Sequence, residues 1–594
     1  MPGRGTHSQT IADLLPKAAE LYGSKVAVRY KEGDAWISKT FDEVREIVRP
    51  LAFGLVTLGV EKGDRVSILG NTRPEWTYFD FAALSIGATV VPIYQTNSPE
   101  ECRYVLENSD SKVVVVEDLE QLEKVRAVRD QLPKLEQIVM MAGSAEDAIS
   151  MEDLAAKGAG GDAATWETLY SAVSKDDICT FIYTSGTTGP PKGCIISHGN
   201  YRAMLDMVND VSVIEDEDLA YLYLPLAHSF ALLIQLGTFD LGTTLAYWER
   251  DPLKILPNLA ELKPTYFPSV PRIFEKIYTA ATSAIEKEGG AKKAIFNWAI
   301  KVGAKMREAE RSGRKPGFLL QRQYDFADKK VLSKIRGLFG GRIRLAVSGA
   351  APINPEILRF FDAAGVLVLE GWGMTETSTA ATISTPEDFK VGTIGKPFPG
   401  CEVRIADDGE ILVKGPNVFQ GYHKNPEATK ETIVDGWLHT GDIGEIEPDG
   451  FIKITGRKKD IIITAGGKNI TPANLEAEIK QHPLVSQCVV VGDRRPYLVA
   501  LVTLDPEEAV KYAQENNLSE DPAQLSQNPD VKAAIEAHVD KINENFARVE
   551  QVKKISILPH DLSQESGELT PTLKVKRAVV AQKHEDAIEQ LYAA

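Results

Sequence analysis

An α/β protein of at least two domains is what this chain predicts, on three observations. The first half alternates short β-branched runs with helical stretches, the pattern of a mostly parallel sheet covered by helices on both faces. At 594 residues the chain is too long for one ordinary core. Beyond residues 455–460 strands alternate with charged helices, which fits a smaller α+β domain.

Taken in order, RVSILG at 65–70, TVVPIY at 89–94 and KVVVVE at 112–117 read as strands, with an amphipathic helical run at 79–86 between the first two. Residues 142–177 turn rich in Ala, Gly, Asp and Glu, with GAGG at 158–161, and predict a surface excursion without core-forming power. ICTFIY at 178–183 predicts a buried strand that runs straight into a loop of Gly, Ser, Thr and Pro. The strand-like FIKI precedes TGRKKD at 455–460, the expected domain boundary. CVVVG and YLVALVTL predict strands of the second domain, and 530–551 a charged helix. No internal repeat is visible.

Composition narrows the class. A hydrophobic share of 43% and a charged share of 25% are globular averages, with no sign of disorder or a disulfide scaffold. Cys102, Cys179, Cys194, Cys401 and Cys488 are scattered, odd in number and never in a C-x-x-C spacing, so they read as reduced thiols. The N-terminus lacks the apolar core of a secretory signal and no run is long enough to span a bilayer, which makes the cytoplasm the default address. A net charge of -17 disfavours nucleic acid as a partner. Residues 291–342 run against that balance, with fourteen Lys or Arg and four Asp or Glu.

The chemistry-bearing loop is Thr184, Ser185, Gly186, Thr187, Thr188, Gly189, Pro190, Pro191, Lys192 and Gly193. Small residues with free N–H groups and hydroxyls, closed by one lysine, can wrap a polyphosphate, because glycine lets the backbone approach and lysine supplies charge. It is not the common P-loop, in which Lys follows Gly directly and a magnesium-binding hydroxyl follows Lys. Here Pro191 precedes the lysine and Gly193 follows it.

YTSGTTGPPKG resembles the signature loop of the adenylate-forming superfamily of acyl-CoA synthetases, nonribosomal adenylation domains and luciferases, and further motifs follow in that family's order. By that resemblance the loop binds ATP, and Thr184 is both catalytic and, with Glu376, a Mg²⁺ ligand. PLAHSF places His228 beside the acid-binding pocket. VSGAAP, with Ser348, Gly349 and Ala350, and EGWGMTET, with Gly371, Trp372, Gly373, Met374, Thr375 and Glu376, embrace the nucleotide and the substrate carboxylate. Trp372 stacks on adenine there, flanked by two glycines that suit close approach of a ligand, and Thr375 approaches the phosphate. DGWLHTGDIGEIEPDGFIKITGRKKD is similar to a block in which Asp442 and Arg457 bind the ribose hydroxyls, with Ile454 beside them and Lys459 as the hinge. Gly466, Gly467 and Lys468 fall on the loop that meets coenzyme A. ELTPTLKVKR resembles the segment carrying the catalytic lysine, placed at Lys574; many relatives have Gly where Leu573 stands, and Lys576 is a near neighbour.

The resemblance implies a large N-terminal domain, 1–456, of doubly wound sheets with a distorted β-barrel lobe, as in acyl-CoA synthetases and firefly luciferase. A small mobile α+β domain, 457–594, completes it. The implied reaction is ATP-dependent activation of a fatty acid, long-chain by overall likeness, to acyl-AMP and then acyl-CoA. Its co-substrates are ATP and coenzyme A, with Mg²⁺. A ligase for a medium-chain or aryl acid, or a luciferase-like oxidoreductase, is the alternative. In the basic insertion, Ile295, Trp298, Val302 and Met306 recur at helical spacing. That stripe fits either peripheral contact with an anionic membrane or packing on the parent domain.

Overall fold

A computed structural model describes residues 4–184, 190–465, 469–570 and 574–593, leaving aside the side chains of 283, 284, 286–288 and 469. Two large sheets dominate the first 400 residues. One has eight strands in the order Gly421–Tyr422, Lys192–Ser197, Ile178–Thr184, Thr89–Ile93, Arg65–Leu69, Val113–Val116, Gln137–Met140 and Ile149–Ser150. It is parallel from Ile178–Thr184 onward and antiparallel where Lys192–Ser197 folds back. The other has nine strands, and its parallel centre includes Leu219–Leu222, Tyr266–Ser269, Leu345–Ser348 and Val368–Trp372.

The helical run expected at 79–86 forms as Pro74–Ser85 but is not amphipathic: it and Ser229–Leu241 are buried almost all round, as helices enclosed on every side must be. One continuous cluster of buried side chains joins them to both sheets. They touch through a polar chain: Thr77 Oγ1 donates to Gln235 Oε1 at 2.5 Å, and Gln235 Nε2 donates to Asp80 Oδ2 at 2.7 Å. A five-stranded antiparallel sheet, including Glu410–Lys414, Trp437–Ile446 and Ile452–Arg457, forms a third lobe.

Residues beyond 461 build separate cores around the strands Val485–Val491, Leu498–Leu504 and Val552–Ile557. This part meets the large one through Arg272 and Asp505 at 2.7 Å, Lys276 and Glu507 at 3.4 Å, and Asn354 Nδ2 donating to Glu478 Oε1 at 3.2 Å.

Two further expectations change, and one left open is decided. Residues 142–177 are not a bare excursion: helices Met151–Gly158 and Ala163–Ser171 bury Leu154 and Trp166. The glycines are what let them dock, since a Cβ on Gly158 would overlap the Pro50 carbonyl and one on Gly161 the Phe53 ring. Low apolar content here marks close backbone packing rather than solvent. The charged helix at 530–551 ends sooner, as Pro529–Asn543, because Asn543 turns the chain by pairing through its side chain with both backbone groups of Val552. In the basic insertion, helix Gly290–Arg311 points Val302 and Met306 inward, at 4% and 7% exposure, together with Phe296 and Ala299. Gly303 brings it against the carbonyl of Ala363. Most of the stripe therefore packs on the parent domain.

Candidate active site

The phosphate-loop motif is carried on a hairpin. Strand Ile178–Thr184 pairs antiparallel with Lys192–Ser197, so Thr184 stands opposite Lys192 and its Oγ1 donates to the Lys192 carbonyl at 3.4 Å. Ser185, Gly186, Thr187, Thr188 and Gly189 lie outside the described residues. Lys192 Nζ sits 4.9 Å from the ring centroid of Tyr422, whose hydroxyl donates to Glu376 Oε1 at 2.7 Å. Strand Gly421–Tyr422 pairs directly with Lys192–Ser197, so sheet register brings Lys192, Tyr422 and Glu376 together. Tyr422 was not singled out in the sequence. A lone tyrosine in a turn of Gly, Tyr and His carries no spacing that announces such a role.

Parallel pairing of Leu345–Ser348 with Val368–Trp372 sets Ser348, at the carboxyl end of its strand, beside Glu370, and open α/β sheets place their ligands at such ends. Ser348 Oγ is buried without a hydrogen-bond partner among the described residues, and Ala350 holds φ +68°, a left-handed backbone that costs a non-glycine residue. Trp372 is buried along much of its ring, and its Nε1 donates to Asp442 Oδ2 at 2.9 Å, which fixes the ring plane. Its two glycines leave no room for a ligand: a Cβ on Gly371 would meet Ile383, and one on Gly373 would overlap the Thr379 carbonyl. Gly371 admits the Ile383 side chain, and Gly373 serves close backbone packing. Met374 leads into the short turn Thr375–Thr377, in which Thr375 and Glu376 are buried.

Asp442 and Arg457 are register partners on Trp437–Ile446 and Ile452–Arg457, with Arg457 Nε 3.2 Å from Asp442 Oδ1. Burial raises the Asp442 carboxyl, while Arg457, the Trp372 indole and Lys574 pull it down. Ile454 opposes Gly444 on the same pair of strands. Lys459 is exposed in the turn that follows Arg457, and Gly466, Gly467 and Lys468 lie outside the described residues.

From the small part of the chain comes Lys574, whose N–H donates to Thr570 Oγ1 at 3.0 Å. Lys574 is exposed to solvent. Lost hydration and the nearby Arg457 lower its pKa, while Asp442 and Glu376 raise it. The Lys574 charge also reaches His228, which burial first of all pushes down to about 3. His228 caps helix Ser229–Leu241, its Nδ1 accepting from the Phe230 N–H at 3.2 Å. The ring is thus neutral and carries its proton on Nε2. One cleft therefore gathers His228, Trp372, Glu376, Asp442, Arg457 and Lys574, residues up to 346 positions apart in the chain.

The arrangement matches known proteins. Residues 15–423 match the family model described as AMP-binding enzyme, and 459–594 the one described as AMP-binding enzyme C-terminal domain. A long-chain-fatty-acid–CoA ligase, FadD15, of Mycobacterium bovis is 41% identical over 568 residues, spanning 94% of this chain and 92% of that one. A long-chain-fatty-acid–CoA ligase of Xenopus laevis, ACSBG2, is 34% identical over 622 residues, spanning 98% and 84%. Among solved structures, the adenylation domain of a carboxylate reductase from Mycobacterium chelonae superposes with a TM-score of 0.79 at 22% identity, covering 99% of this chain and 92% of that one.

Proposed function

The chain belongs to the AMP-binding enzyme family, and we propose that it joins a fatty acid, most readily a long-chain one, to coenzyme A through an acyl-AMP. The 41%-identical relative named for that activity supports the reading. The observation that carries it is Lys574, which arrives from the C-terminal part of the chain among Glu376, Asp442, Arg457 and His228.

In the first step a carboxylate oxygen attacks the α-phosphorus of ATP and pyrophosphate leaves. In the second the coenzyme A thiol, giving up its proton, attacks the acyl carbonyl and AMP leaves. Neither step needs a protein nucleophile, so the chain acts by positioning and electrostatics. Asp442 accepts from a ribose hydroxyl and Arg457 donates to one. Trp372, held by Asp442, offers its remaining ring face to adenine. The Ser348 hydroxyl, unpartnered among the described residues, and the Lys192 ammonium would meet polar ligand atoms. Lys574 meets the charge that develops between carboxylate and α-phosphate, and the neutral His228 borders the acid.

Glu376 accepts from Tyr422 through Oε1 and lies beside the Cys194 thiol. A single hard carboxylate with the Thr184 hydroxyl nearby fits Mg²⁺, which takes a few protein oxygens and completes its shell with phosphate and water. Bound there, the ion would neutralise phosphate charge. For the second step we assign coenzyme A to the loop of Gly466, Gly467 and Lys468, and a rotation of residues 457–594 about Lys459. The five buried cysteines suit a reducing cytoplasm, and no helix among the described residues is long and apolar enough to cross a membrane. Lipid contact, in this reading, is peripheral.

Pyrophosphate release across acids from acetate to oleate, with benzoates alongside, tests the substrate. Lys574→Ala should slow acyl-AMP formation by about 10²-fold or more while leaving thioester formation from supplied acyl-AMP near the parent rate. A folded variant that adenylates as fast as the parent overturns the assignment.

A further inference from the structure

Lys574 is only as well placed as the backbone that carries it. Residues 568–570 and 574–576 run side by side: Leu569 bridges Val575 antiparallel, the Thr570 N–H donates to the Lys574 carbonyl at 2.8 Å, and the Lys576 N–H donates to the Glu568 carbonyl at 2.8 Å. A ladder this short is marginal by itself, so its position depends on what holds its ends. Beyond Lys576 it is fixed by Arg577, which binds Glu476, a carboxylate that also accepts from the Val490 N–H at 2.7 Å.

The opposite end is Glu568, at 6% exposure. Its Oε1 accepts from His584 Nε2 at 2.7 Å and its Oε2 from the Ser566 hydroxyl, while the Ser566 carbonyl takes Lys583 Nζ. Burial opposes the charge, yet Ser566, His584 and Lys583 together hold the carboxyl below its ordinary range. An ionised carboxylate can only accept, so His584 carries a proton on Nε2. The histidine is itself tied down. It stands between helices Arg577–Lys583 and Glu585–Tyr592, where its N–H donates to the Val580 carbonyl and its carbonyl accepts from the Ile588 N–H, both at 3.0 Å. Val580 and Ile588 share one buried cluster with Leu569. Removing the His584 donor would leave a buried anion short of a partner, and such a group moves toward water. Glu568 would then carry the strand pair, and Lys574 with it.

We propose that His584 is a positioning residue for Lys574, acting through Glu568 to hold the strand pair that presents the lysine ammonium to the reacting carboxylate and α-phosphate. The proposal rests on the ligase reading, in which Lys574 serves acyl-AMP formation and not transfer to coenzyme A.

The two half-reactions of the full chain, measured separately with oleate as the acid, test it. His584→Leu should lower kcat for acyl-AMP formation by about tenfold while KM for ATP and for oleate stays near the parent's. Thioester formation from supplied oleoyl-AMP should keep the parent rate, which also shows that the variant is folded. His584→Gln, whose amide can donate to Glu568, should return acyl-AMP formation to within about threefold of the parent. Glu568→Ala should cost as much as His584→Leu, and the double variant no more than either alone. His560→Leu, at an exposed histidine of the same part of the chain, should change neither half-reaction. Parent-like acyl-AMP formation by His584→Leu beside a slow Lys574→Ala overturns this inference alone. Equal slowing of both half-reactions also overturns it, since the histidine would then serve only the fold, and so do additive losses in the double variant. Parent-like acyl-AMP formation by Lys574→Ala overturns the role given to the lysine and this inference with it.

Discussion

Asp80 sits between two buried helices, and burial pushes its carboxyl up to about 7 against a single hydrogen bond from Gln235. In the unfolded chain it ionises near 4, so folding carries no penalty below that pH; the penalty grows as pH rises to about 7 and is constant above. Asp80→Asn keeps the shape and the acceptor but cannot ionise. It should therefore shift stability relative to the parent by about 2–4 kcal/mol more in its own favour at pH 8 than at pH 4. Urea unfolding at the two pH values checks this, and an equal effect at both would show that Asp80 is already ionised in the native state. His228 works in the opposite sense: with a folded pKa of about 3, the unfolded chain binds the extra proton, and stability drains away as pH falls below the ordinary histidine value. Residues whose chemistry is intrinsic, such as Glu376, Asp442 and Lys574, were legible because their motifs are contiguous. Tyr422 was not, because only strand pairing shows that its hydroxyl meets Glu376.

Strands with β-branched runs declared themselves, and Arg65–Leu69, Thr89–Ile93, Val113–Val116 and Ile178–Thr184 all form where the pattern put them. Elements defined by small residues did not. The pair Met151–Gly158 and Ala163–Ser171 reads as solvent-facing because its glycines look like breakers, whereas Gly158 admits a neighbouring backbone and Gly161 the Phe53 ring. Stripes on helices were ambiguous in the same way: spacing finds the apolar face of Gly290–Arg311 but not what covers it. Between the two parts of the chain, helix Pro506–Asn516 offers Asp505 to Arg272 and Glu507 to Lys276. In the proposed rotation, this clasp would favour the orientation in which Lys574 meets the nucleotide. Asp505→Asn removes the charge yet retains the cap on Glu507 and Glu508. We expect it to slow acyl-AMP formation by about threefold to tenfold, leaving thioester formation from supplied acyl-AMP unchanged or faster. Equal rates in both half-reactions would remove the clasp from the mechanism.

The molecule as a whole has separable cores, one set before residue 460 and another after it, joined by an exposed turn and a few polar contacts. Interfaces of that kind permit relative motion. Calorimetry of the full chain should resolve two unfolding transitions, and AMP at about a hundred times its Kd should stabilise the larger part by about 2.7 kcal/mol. A single transition unaffected by AMP would contradict both the modularity and the nucleotide cleft. The amino-acid order by itself determined the α/β class, the buried strand that runs into the phosphate loop, and the motifs that supply most of the candidate cleft residues. Each of these depends on neighbours in sequence: side-chain period, turn chemistry and contiguous motifs. Tertiary structure alone decided that Lys574 stands within reach of His228 and Asp442, that Gly371 and Gly373 face protein, and that Val302 and Met306 point inward while Phe318 and Leu319 do not. The reason is physical: burial and electrostatic field are set by what a side chain meets across the fold, and no local spacing encodes that partner.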